Sequence, residues 1–363
     1  MTGERLQLQL HLGDGAVVLP APPDLLAAVE SASVQSNPGG RTGFQLSLRA
    51  ASRDAATALL ARLPPTREAR LVIVVLVDGA KTVLSDGILT QHQVAITRDG
   101  SVAIGLTGED LTFLMDLDDR TGAVLHGSAH QQVMACLMSL RPLGVTAAVD
   151  DKAHASTRAD HPAEATPTQL GTDYAHVTRL AADLGFVFHL APDDVGRSTA
   201  HWGPPVVDTT QLPPLTLGMG HRSNLESLSF TLVPHQGTAR YTIAADGTRT
   251  DVAPAVGLAP RLARQPVPPQ RRAPVREAAA RSPGLVDPTY AARQALDAAA
   301  VTGQGTLDVA RYGGLLRPHR LVPVRGATAP YDGLYLVTSV STQISRTGVT
   351  QSFALQREGL YPL

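Results

Sequence analysis

Residues 331–360 impose a hairpin on any fold this chain adopts. Leu334, Leu336, Thr338, Val340, Thr342 and Ile344 alternate with mostly polar neighbours, Arg346-Thr347-Gly348 breaks the run, and Val349, Gln351, Phe353 and Leu355 resume it. A period of two belongs to a strand with one buried face and cannot stay on one side of a helix. Similar patterns recur upstream. Phe44 to Leu48 alternates, a short helix over 55–63 ends against Pro64-Pro65, and Leu71 to Val77 is apolar on both faces and turns at Asp78-Gly79. Lys81 to Ser85 pairs back, Ile88, Thr90, His92, Val94 and Ile96 share one side of the next strand, and Val102, Ile104 and Leu106 return after Asp99-Gly100. Turns at such short intervals predict an antiparallel meander that curls into a small barrel.

The middle of the chain has a helical period. Val133, Cys136, Leu137 and Leu140 fall on one helical face, and Pro142 ends that helix. After a polar excursion over 150–168, Tyr174, Val177, Leu180, Ala181 and Leu184 recur at helical spacing, with Thr172 or Asp173 as cap and Gly185 as stop. Phe186 to Leu190 follows as a strand. Residues 215–220, 225–233 and 240–243 again read as strands. Residues 254–288 hold several prolines and six arginines and bury too little apolar surface to fold alone. Asp287 and Pro288 then suit the start of an alanine-rich helix ending near Ala300.

At 363 residues the chain is long enough for two or three compact units. Its 31 basic and 32 acidic residues balance, which argues against a broad nucleic-acid-binding surface. The single Cys136 forms no intrachain disulfide and reads as a buried thiol. No basic head with an apolar core opens the sequence, and the longest apolar run, Leu71 to Val77, falls far short of the roughly 20 residues of a membrane helix. The expectation is a chain that inserts in no membrane.

Motifs for catalysis are missing. The pairs Glu109-Asp110, Asp118-Asp119 and Asp193-Asp194 are adjacent, whereas a glycosidase sets its carboxylates across a cleft, so solvated turns are expected. Twelve histidines include no His-Glu-x-x-His, and His154 with His161 or His201 with His221 lie in loops or across turns. No nucleophile elbow, phosphate loop or dinucleotide fingerprint occurs, so no catalytic residue, metal or cofactor is expected. Trp202, before Gly203-Pro204-Pro205, serves either as an interface anchor or as packing for a strand end. The arginine-rich linker is a solvated connector, a dock for an acidic partner or the lining of a channel.

Several blocks in order resemble the late-control D or VgrG-type hub proteins of contractile phage-tail-like injection systems. They are Asp86-Gly87-Ile88-Leu89-Thr90, Leu106 to Leu111 with Met115-Asp116, Gly171 to Tyr174 with Gly185 to Phe188, His201 to Pro205, Asn224 to Phe230, and the closing hairpin with Tyr312 to Gly326 before it. The resemblance implies a mainly β fold of two tandem small antiparallel β-barrels with an inserted α/β subdomain. Residues 1–118 and 206–253 would form a discontinuous first barrel, 119–205 the insert, 254–286 a linker, and 287–363 the second barrel with its leading helix. It further implies a homotrimer joining a sixfold inner tube of ring proteins to a threefold spike, the spike being a separate protein, among other baseplate components. Assembly would be cytoplasmic, the chain becoming a component of a phage-tail-like particle that either stays in the cell or is released from it. Trp202, Arg317, Arg325, Tyr331 and Tyr335 are the candidate interface residues. The rival classes are a tail-associated peptidoglycan hydrolase, which needs an acid/base pair in a cleft, and a carbohydrate-binding module, against which 4% aromatic content argues.

Overall fold

The computed structural model describes residues 6–36, 40–63, 66–98, 100–150, 168–184, 186–193, 197–204, 207–234, 238–243, 247–251, 261–268, 271–274 and 299–362. The N-terminal half contributes β1 (Leu6–Asp14), β2 (Val17–Pro20), β3 (Val29–Ser36), β4 (Gly43–Ala50), β5 (Ala69–Val77), β6 (Ala80–Ile96) and β7 (Val102–Asp110). The β5–β6 turn has positive φ at both Asp78 (48°) and Gly79 (82°), the backbone that Asp-Gly adopts most readily and that matches strand twist. These strands pair in the order β2-β1-β5-β6-β7-β4-β3, all antiparallel.

A middle subdomain follows. The helix Ala129–Leu137 begins with a capping box in which Ser128 and Gln131 satisfy each other's backbone amides. Three short strands, β8 (Thr146–Val149), β9 (Val187–Pro192) and β10 (Ser198–Gly203), pair in the order β8-β10-β9. The helix Asp173–Leu184 packs on β9, and Thr172 caps it by accepting the Ala175 amide at 3.2 Å. Cys136 is buried here, and burial, then the nearby Asp173 carboxylate, pushes its thiol up to about 12. This subdomain has its own core, centred on Trp202, Leu140 and Val177, each fully buried.

The remaining strands are β11 (Asp208–Gln211), β12 (Leu215–Thr216), β13 (Leu225–Leu232), β14 (Thr238–Ile243), β15 (Arg249–Asp251), β16 (Ala263–Pro266), β17 (Arg271–Pro274), β18 (Val301–Asp308), β19 (Arg320–Arg325), β20 (Gly333–Ser345), β21 (Val349–Arg357) and β22 (Gly359–Pro362). They correct the expected boundaries. β13 pairs with β18, and β11 and β12 pair with β19, so residues 208–232 build onto the C-terminal strands instead of completing a first barrel. The alternating side chains of β13 find their apolar partners on that side, where Phe230 lies 5.1 Å from Tyr331 and 5.2 Å from Tyr335 between ring centroids.

The expected pair of closed barrels is also replaced. One 14-stranded sheet runs β13-β18-β21-β20-β3-β4-β7-β6-β5-β1-β2, with β19 beside β20, and among the described residues it does not close on itself. The join is β20 against β3, where Val340 to Ser345 pair with Ser36 to Ser31. One continuous core therefore runs from Leu6 and Leu71 through Val34 to Tyr335 and Leu355.

Part of the expected linker is strand. β16 pairs with β22, and β17 pairs with β14, so neighbouring strands supply the hydrogen bonds that its composition could not arrange alone. Glu358 fixes the start of this segment, accepting the amides of Leu262 (2.6 Å) and Ala263 (2.8 Å). Glu358→Ala is expected to lower the protection of those two amides by about 1–3 kcal/mol in hydrogen exchange, and Glu358→Gln by less, because the carbonyl oxygen remains. Most of the expected helix over 287–300, His154, His161 and Gly185 lie outside the described residues.

Candidate assembly interface

The two halves of the sheet are built alike. β7 pairs with β6 and β4, and β4 with β3; β21 pairs with β20 and β18, and β18 with β13. β7 and β21 share the same inward and outward alternation along nine residues. The irregularities coincide as well. The long strands break register between Leu89 and Gln91 in β6 and between Val337 and Ser339 in β20, leaving Thr90 and Thr338 as the extra residues. β3 breaks between Val29 and Ser31, β13 between Leu225 and Ser227, leaving Glu30 and Glu226. Val34 lies opposite Phe44 as Phe230 lies opposite Gly303, and Ser33 opposite Gln45 as Ser229 lies opposite Gln304.

One joint breaks the equivalence. Beyond its bulge, β20 is covered on its far edge by β3. The corresponding stretch of β6, Gln91 to Ile96, pairs with β7 alone among the described residues. Its inward-facing Val94 and Ile96 are 42% and 55% exposed. β13, the counterpart of β3, pairs with β18 alone among the described residues, with Leu228, Phe230 and Leu232 half-buried along its inner side. The sheet thus carries two open edges of matching length, each with apolar side chains on the core side. Unpaired edges of this kind invite another strand.

On the outer surface, the part over β13, β18, β21, β20 and β3 is polar and carries no charged side chain in its lining. A shallow depression of about 450 Å³ is lined by Gln35, Ser227, Ser229, Gln304, Gly305, Thr306, Ser339, Ser341, Ser352 and Ala354 with Val340 and Phe353. Small uncharged side chains bind passing chains weakly, because they offer neither ion pairs nor large apolar contacts.

The five residues singled out from the sequence lie elsewhere. Trp202 is fully buried, donating its indole N–H to the Val177 carbonyl at 3.2 Å and meeting Phe186 edge-on at 4.8 Å. Its ring packs a strand end within its own subdomain and reaches no surface. Tyr335 is also fully buried; its hydroxyl donates to the Tyr331 carbonyl at 2.7 Å, and the Arg357 guanidinium lies 4.4 Å above its ring. Tyr331 is half-buried against Phe230, and half-buried Arg317 donates to the Thr82 hydroxyl at 3.3 Å. Arg325 alone of the five is exposed. None of them sits on an open edge.

Among the acidic pairs, Asp110 departs from the solvated turn expected. It is 3% exposed and accepts the Thr42 amide at 2.6 Å and the Thr112 amide at 3.0 Å, while burial pushes its carboxyl above the usual range. Glu109 pairs with Arg41 at 3.0 Å, Asp118 with Arg67 at 2.6 Å, and Asp193 accepts the Arg197 amide. Each of these carboxylates thus has a partner within the fold; Asp194 lies outside the described residues. Among the described residues no group of three or more histidine, cysteine or carboxylate side chains is arranged to hold a metal ion, and no helix is long and apolar enough to cross a membrane.

The open edges could have been noticed from a repeat. Glu30-Ser31-Ala32-Ser33 and Glu226-Ser227-Leu228-Ser229 occupy the same positions in the two halves, a short echo that periodicity counts pass over.

No protein-family model matches the sequence, and no curated protein does. Solved structures do share the fold. A 43 kDa tail protein of prophage MuSo2 from Shewanella oneidensis superposes with a TM-score of 0.61 at 13% identity, over 97% of this chain and 99% of that one. A tail protein from Neisseria meningitidis gives 0.58 at 14%, over 98% of each chain. An Escherichia coli component of the type VI secretion system, described as similar to the bacteriophage T4 tail proteins gp27 and gp5, gives 0.52 at 13%, over 92% of this chain and 76% of that one. At these identities the likeness is one of fold, and it spans nearly the whole chain.

Proposed function

We propose that this chain is the structural hub of a contractile, phage-tail-like injection particle, a ring-forming adaptor between tube and spike. The observation that carries the reading is the open counterpart of the β20–β3 joint. That joint is made once within the chain, between its halves. The equivalent strands, β6 and β13, lie at separate edges, where one chain cannot bring them together but two can. Transferring the internal register puts Val94 opposite Phe230 and Ile96 opposite Leu228, pairing the exposed apolar residues of one edge with the half-buried ones of the other. Such a joint is heterologous, and repetition around an axis closes it into a ring.

Three copies then present six like units, which meets a sixfold tube on one side and a threefold spike on the other. The polar, uncharged outer face would line a wall along which tube contents slide. The fold shared with tail proteins supports this reading. The role is mechanical and requires no catalytic group.

Light scattering coupled to gel filtration tests the assembly. The expected mass is three times the 38.1 kDa of the chain. Added to preformed tubes of the particle's ring protein, the trimer should co-sediment and cap tube ends; a chain that remains in the supernatant would remove the adaptor role.

A further inference from the structure

Three imidazoles meet where the middle subdomain rests on the β body. His189 on β9 and His201 on β10 are directly cross-strand, with ring centroids 5.0 Å apart. His319, just before β19, stacks on His189 at 5.2 Å with 21° between the planes. His319 reaches this position from a backbone φ of 63°, uncommon for a residue with a Cβ, while its amide and carbonyl are held by Val337 and Asp208. The rings border a cavity of about 440 Å³ closed on the other side by Val34, Leu84 and Val340 of the sheet. The Nδ1 of His189 is buried without a hydrogen-bond partner.

We propose that this histidine stack is an acid-released clasp, which holds the middle subdomain against the C-terminal strands at neutral pH and lets it go when the rings become charged. The geometry gives the direction. Neutral imidazoles stack with little repulsion, whereas two or three cations within about 5 Å repel strongly in a half-buried site. Outside the cavity lining, the Asp150 side chain lies beside His201 across Gly203. The charged groups lining the cavity are Arg317 from the segment before β19, Arg320 at the start of β19, and Asp208 on β11, already paired with Arg320 at 2.9 Å. β3, β6 and the loop before β4 contribute only neutral groups such as Ser36, Thr42 and Thr82.

Burial, and then the neighbouring His319 and His201, holds His189 down to about 3, and burial followed by His201 lowers His319 from its ordinary value. A histidine depressed in the folded state contributes its full stability above 6.5 and loses it progressively as pH falls toward 3. The clasp therefore weakens on acidification. It acts within one chain and stands whether or not copies assemble.

Hydrogen exchange of the full chain at pH 7.5 and 4.5, corrected for intrinsic rates, tests the clasp. Peptides covering 186–193, 197–204 and 316–322 are expected to exchange at least tenfold faster at the lower pH, while β4 and β21 stay protected. His189→Phe preserves a ring without a titratable group, and His319→Asn suits the positive φ. Either variant should flatten the pH response of those peptides. Unchanged protection of the wild type at pH 4.5, or variants that respond to acid as the wild type does, would overturn the proposal.

Discussion

Asp86→Ala is expected to destabilise the chain by about 3–5 kcal/mol, because it strands a buried cation. The Arg70 guanidinium and the Asp86 carboxylate are 4% and 1% exposed and form two parallel hydrogen bonds of 2.7 Å. Arg70 also donates to the carbonyls of Gly15 (3.2 Å) and Leu143 (3.0 Å), and Ser198 donates to Asp86 at 2.8 Å. Five segments of the chain thus converge on one ion pair. Gly15 belongs to the β1–β2 turn, Arg70 and Asp86 to the β5–β6 hairpin, and Leu143 and Ser198 to the middle subdomain. Removing the carboxylate leaves the guanidinium in a site that water cannot reach, with only carbonyl dipoles to offset its charge. Replacing both partners, as in Arg70→Met with Asp86→Leu, should cost much less, since two apolar side chains need no partner. Trp202 is the chain's only tryptophan and lies in the middle subdomain, so its fluorescence in urea titrations reports the loss directly. A single variant within 1 kcal/mol of the wild type would show that the pair is dispensable.

The second large effect falls on assembly. Val94→Lys together with Ile96→Lys is expected to abolish the ring while leaving the chain folded. Both side chains are already substantially exposed in the single chain, so lysine is tolerated there. In the joint they would lie opposite Phe230 and Leu228, where a buried ammonium has no partner. Losing two apolar pairs and adding two inward charges on an edge should weaken association by at least 100-fold, about 2.8 kcal/mol. The measurement is the mass in dilution-series light scattering, with urea midpoints confirming an intact fold. A double variant that assembles like the wild type would place the contact elsewhere.

How much of this was legible in the sequence depends on whether the signal was local. The alternation of Leu334 to Ile344 and the Asp78-Gly79 turn are consequences of the pleat and of backbone torsion, so strands and tight turns could be read directly. The register break that leaves Thr90 or Thr338 unpaired carries no local mark. It decides which neighbour each half of a long strand takes, and with that the difference between two closed barrels and one open sheet. The partners of residues 208–232 are hidden for the same reason, since β13 and β18 lie far apart in the chain and no periodicity reveals which strand pairs with which. Long-range placement also decides the histidines. His201 is near His221 in sequence, whereas the fold sets it against His189, which in turn stacks on His319. Trp202 was legible as an important ring, and only the three-stranded sheet around it shows which way it points.

The claim that the open edges of β6 and β13 are two halves of one joint is tested most directly by electron microscopy of the purified chain. Averaged end-on views should show a threefold ring of six similar lobes around a central opening, with the β sheet continuous from one copy to the next. Isolated single chains at micromolar concentration, or twofold dimers with both β6 edges still exposed, would contradict it.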